Sequence, residues 1–104
     1  MVSHYNLTVA AVAVRLSDVF GDGVGVVNAA HDLPMRQIIL QAVTADIEIG
    51  GDATVTTSVY GFKLPSTAPA APLVLGPFET GPVKLSQLYA ISTNATLHIT
   101  AIPF

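Results

Sequence analysis

The chain has no cysteine and no tryptophan. Without thiols there is no disulfide framework, no thiolate metal site and no cysteine nucleophile. Basic residues are nearly absent too, at four Lys and Arg against seven Asp and Glu, for a net charge of −3. Neutralising phosphates takes clustered cations, so this balance reads against nucleic-acid binding. No apolar run approaches the ~20 residues of a membrane-spanning helix. The longest, Val9 to Val14, ends at Arg15, with no Lys or Arg before it and no clear cleavage pattern after it, so it also reads against a signal peptide.

Charge of either sign is scarce. Charged residues make up 11% of the 104, against roughly 25% in ordinary soluble domains. Hydrophobic residues make up 51%, and mean hydropathy is +0.60. A chain of this length forms one small domain with a large surface for its volume. Eleven charged side chains cover such a surface poorly. With no membrane segment, the expectation is that much of the surface is buried against other chains. Oligomerisation is one way a small β domain without disulfides gains support.

What the chain does have is β pattern. Val, Ile, Thr, Tyr and Phe dominate short runs separated by Gly, Pro, Asn and Asp. Asn6–Leu16 reads as a strand apolar on both faces, hence covered on both. Met1–Tyr5 reads as an N-terminal arm. Asp18–Pro34 reads as a long loop with one short helical turn, and long loops in compact domains tend to be functional. Arg36–Thr44 is a strand with Ile38, Leu40 and Ala42 on one face. In Asp46–Ile49, Ile47 and Ile49 point in while Asp46 and Glu48 point out. Gly50-Gly51-Asp52 is a turn, Thr54–Tyr60 a Thr-rich strand, and Gly61 a bend. The three prolines of Leu64–Pro72 make an extended connection. Leu73–Leu75 is a short strand stopped by Gly76-Pro77. In Leu85–Ile91 the LSQLY part reads as a turn leading into the strand Tyr89-Ala90-Ile91-Ser92. Thr96–Ile102 alternates Leu97, Ile99 and Ala101 against Thr96, His98 and Thr100. This spacing predicts an antiparallel β-sandwich or barrel over residues 1–104.

No constellation carries chemistry. Gly21-Asp22-Gly23-Val24-Gly25 lacks GxGxxG spacing and a following helix, so it reads as a turn. Asp46 and Glu48 share a strand face near Asp52, but no EF-hand loop is present, and the expectation is a solvated face. His4, His31 and His98 have no paired metal-ligand spacing. No GxSxG elbow exists. The expectation is no catalytic site, no metal and no cofactor, and not an enzyme. Arg15 and Arg36 suit bidentate carboxylate pairs, either local or across an interface.

Four pieces carry a family likeness: the Ile-Gly-Gly-Asp turn at 49–52, the Val-Thr-Thr-Ser strand at 55–58, Gly61-Phe62-x-Leu64-Pro65, and Leu85-Ser86-x-Leu88-Tyr89-Ala90-Ile91-Ser92. In this order, with a last strand near the terminus, Arg36 to Phe104 resembles small tailed-phage virion proteins that decorate or cement the capsid. The resemblance implies a jelly-roll-like sandwich on the virion surface. It also implies a homo-oligomer, commonly a trimer, that bridges major capsid protein subunits. A head fibre base, neck or tail component fits the same likeness. The expected contact segments are Met1–Tyr5, Asp18–Pro34 and Leu64–Pro72. The competing expectation is a small carbohydrate-binding or adhesin-like β module. Its stacking surface would have to come from Tyr5, Phe20, Tyr60, Phe62, Phe78, Tyr89 and Phe104 alone.

Overall fold

Strict alternation of large apolar with small or polar residues creates strands that bury one face, and two such stretches organise this chain. The computed structural model describes residues 3–23, 25–67, 72–76 and 83–104. It contains eight strands: β1 Ser3–Val9, β2 Val14–Arg15, β3 Met35–Val43, β4 Ile47–Gly50, β5 Phe62–Leu64, β6 Leu73–Leu75, β7 Tyr89–Ile91 and β8 Ala95–Pro103. Two 3₁₀ turns, Leu16–Phe20 and Leu85–Gln87, complete the regular elements. The described residues include no α-helix.

The strands form two four-stranded antiparallel sheets, β1-β8-β3-β6 and β2-β7-β4-β5. Every strand pairs with the one whose number completes nine: β1 with β8, β2 with β7, β3 with β6, β4 with β5. That is the pairing of one long hairpin. Two further pairs, β3 with β8 and β4 with β7, form when the hairpin wraps on itself. Eight strands wrapped this way give the jelly-roll order. The two sheets share one apolar core and leave their edges unclosed.

The core follows the alternation. Ile38, Leu40 and Ala42 of β3 meet Leu97, Ile99 and Ala101 of β8, all nearly inaccessible. Leu7 and Val9 of β1, Ile47 and Ile49 of β4, Leu64 of β5 and Ala90 of β7 fill the space between the sheets. Leu16 and Leu85, one from each 3₁₀ turn, close one end.

Four expectations are corrected. Ser3, His4 and Tyr5 are no arm: they pair with Ala101, Thr100 and Ile99 in β1, and Tyr5 packs against the core. Met1 and Val2 lie outside the described residues. Asn6–Leu16 is not one strand. Leu7 and Val9 face the core from one sheet and Val14 from the other, because the chain crosses between sheets at residues 10–13. The apolar character on two faces is therefore a change of sheet, and it leaves Val12 76% exposed. Thr54–Tyr60 is a looped excursion rather than a strand. The Asp52 carboxylate accepts the Thr54 N–H at 2.9 Å and the Thr54 hydroxyl, and the Thr56 hydroxyl accepts the Ser58 and Val59 N–H groups. Short polar side chains that satisfy local backbone compete with a ladder. Glu48, expected to be solvated, is only 5% exposed, and its Oε2 has no hydrogen-bond partner among the described residues. Of the other expected elements, Leu64–Pro72 is described except for residues 68–71, and the Gly76-Pro77 stop only at Gly76.

Leu97→Ala is expected to cost about 2–5 kcal/mol in urea unfolding, since its side chain is fully buried where β8 meets β1 and β3. Gly50→Ala is expected to cost about 1–3 kcal/mol. A Cβ there would lie 2.8 Å from the Val55 side chain, which packs back onto the strand.

Candidate functional site

Antiparallel pairing sorts the connections to the two ends of the sandwich. β1, β3, β5 and β7 finish at one end, where β2, β4, β6 and β8 begin. Residues 10–13, 44–46 and 92–94 make short turns there, with residues 65–67 and 72 beside them. The long connections, described over 16–23, 25–34, 51–61, 76 and 83–88, lie at the other end with Ser3 and Phe104. Two of the three expected contact segments therefore come together, Ser3–Tyr5 and Asp18–Pro34. Of the third, Leu64–Pro72, the described residues 64–67 and 72 sit at the opposite end.

The 16–34 loop is held in shape by its own polar groups. Gly21, Gly23 and Gly25 all have positive φ, which side chains other than glycine rarely adopt. Asp18 Oδ1 accepts the Gly25 N–H at 2.9 Å, and Arg15 Nη1 donates to the Gly25 carbonyl at 2.8 Å. Arg15 Nε also donates to the Tyr89 hydroxyl at 2.7 Å, with its guanidinium 5.6 Å from that ring's centre. Phe20 meets Tyr5 edge-on at 5.4 Å and His31 at 6.0 Å. His31 Nδ1 lies 2.8 Å from Asp22 Oδ2. The buried Asp32 carboxylate accepts the Ser86 N–H and ties the loop to the second 3₁₀ turn. The glycine stretch is thus a pinned turn; its Val24 lies outside the described residues.

The remaining candidates do not converge. Among the described residues no three His, Asp or Glu side chains come together. His4 Nδ1 lies 3.2 Å from the Thr100 hydroxyl, and His98 stands on the same outer sheet face between Asn6 and Gln41. Asp46 binds Ser66, Glu48 is buried opposite Lys63 in β5, and Asp52 caps its own turn. Arg36 is exposed at an irregularity where β3 meets β8.

The long-loop end does collect apolar surface. Among the described residues, seven of the ten large apolar side chains that stand exposed are there: Val26, Val27, Leu33, Val59, Tyr60, Phe62 and Phe104. Val59 and Tyr60 are adjacent, and a strand over Thr54–Tyr60 would have turned one of them inward, whereas the looped excursion exposes both. Gly50, Asp52, Thr54, Val55 and Tyr60 also line an open cleft of about 180 Å³ at this end.

No family model, curated protein or solved structure matches the chain.

The short-turn end is a polar latch. The Ser92 hydroxyl donates to the Asp46 carbonyl at 2.6 Å, and the Ser92 N–H donates to the Ala10 carbonyl. The Ser66 N–H and hydroxyl both donate to Asp46 Oδ1. The Ser66 N–H, then its hydroxyl, and a weaker pull from Lys63 hold the Asp46 carboxyl below the usual carboxylate range. A lowered folded-state value stabilises above the unfolded value near pH 4 and is lost as pH falls through the folded one. Acidification from about pH 5 to about pH 2 is expected to lower the urea midpoint less in Asp46→Asn than in the native chain.

Proposed function

We propose that this chain is a structural virion protein that decorates and cements a phage capsid, bridging major capsid protein subunits through its long-loop end. The observation that carries the reading is the gathering of exposed apolar side chains on two long connections, the start of β5 and Phe104, at one end of a charge-poor jelly roll. Jelly rolls occur in capsid and lectin domains alike, so the fold supplies an analogy and the surface supplies the argument. A cement needs a stiff scaffold and apolar contact area. Here the loop that carries Val26, Val27 and Leu33 is pinned by Arg15, Asp18 and Asp32, so docking orders little chain.

One observation favours a second reading, the small carbohydrate-binding module. The half-exposed Tyr60 ring stands beside Asp52 in the cleft, and an aromatic face next to a carboxylate suits a sugar. In that case a glycan array would show specific binding, lost in Tyr60→Ala.

The capsid reading is tested with capsids stripped of accessory proteins. The purified chain is expected to bind them and raise their disruption temperature. Val27→Asp and Val59→Asp, both at exposed positions, are expected to weaken binding about tenfold or more while leaving the fold intact. Binding to isolated neck or tail assemblies instead would reassign the chain within the virion. No binding to any virion component would end the reading.

A further inference from the structure

The two outer sheet faces are treated differently. The face of β2-β7-β4-β5 is largely covered: Glu48 and Ile91 are buried, and Val55 folds back over Gly50. The face of β1-β8-β3-β6 stands open. Register aligns its outward side chains in rows: His4, Thr100, Ile39 and Val74; Asn6, His98 and Gln41; Thr8, Thr96 and Val43. None of these ten residues is an acid, a lysine or an arginine. The face's one formal charge is Arg36, at the irregular end of β3. The other charges among the described residues lie on the second sheet or in connections.

We infer that the open face of β1-β8-β3-β6 stacks on the same face of a second copy. A surface that meets itself confronts each charge with its like, so self-pairing suits a neutral face and penalises a charged one. The rest of this net-negative chain carries acids, including Asp22 and Asp52 at the loop end. The open face alone combines large extent with neutrality, and its Asn, Gln, Thr and His side chains can donate to and accept from their own copies. Sheets stack with strands nearly aligned, about 30° apart. A two-fold axis running across the strands puts the two Arg36 side chains at opposite ends of the stack. From strand spacing and length, the face spans on the order of 400–500 Å² in each copy. In total that is about 800–1,000 Å², below the size of stable interfaces and in the range of weak, transient ones, so the dimer is expected to dissociate at about 10–100 μM or above.

The inference is independent of what the long-loop end binds. Sedimentation velocity from about 10 μM to 1 mM tests it. The expected result is a monomer–dimer equilibrium. Gln41→Glu, which sets a carboxylate against its own copy, is expected to weaken it about tenfold or more. Val59→Asp, at the loop end, is expected to leave it unchanged. A monomer throughout the range overturns the inference. So does a trimer with no dimer, the state implied by the resemblance to decoration proteins, and so does a dimer broken by Val59→Asp and not by Gln41→Glu. Circular dichroism on each variant confirms that the strands are retained.

Discussion

β8 lies between β1 and β3 and turns Ala95, Leu97, Ile99 and Ala101 into the core, and the other elements take their places from that burial. Its pairing with β1 joins the first and last strands of the chain. Its pairing with β3 turns a long hairpin into a sandwich, because β3 also carries β6 while the following turn sends β4 to the opposite sheet. Loop-closure entropy makes so distant a pairing slow, so local hairpins such as β4–β5 are expected to form before β1 meets β8. The Asp46, Ser66 and Ser92 latch then ties three of the turns at one end after the sheets have met.

The elements that could be read directly were those governed by alternation and core burial. Arg36–Thr44 and Thr96–Ile102 lie within one residue of β3 and β8 at each end, with the inward faces as expected. The turn at Leu85 leading into β7 and the short strand Leu73–Leu75 were also legible, since each is bounded by residues that stop a ladder. What escaped was decided by partners far away in the chain. Nothing local in Leu7–Val14 says where one sheet ends and the other begins. Thr54–Tyr60 has strand-forming residues, yet Asp52 and Thr56 satisfy the backbone first. Glu48 sits at an outward position of an alternating strand, and only the fold's own connections determine that this position is covered.

The apolar loop end was legible only in part. Asp18–Pro34 stood out by length and glycine content, but the sorting of connections to two ends follows from the pairing of strands. That sorting separates the described residues of Leu64–Pro72 from the other segments expected to make contacts. It also shows how so few charges suffice. Four of the six described carboxylates, Asp18, Asp32, Asp46 and Asp52, accept backbone N–H groups, and the remaining charges leave one sheet face with Arg36 as its one formal charge.

The placement of the termini has a practical side. Ser3 stands opposite Ala101, so any tag or domain joined to either terminus emerges among the long loops, beside Phe104. The Thr93-Asn94 turn is exposed at the far end of the molecule, between β7 and β8. A peptide spliced into that turn would point away from the loops, which makes it the natural port for display or labelling.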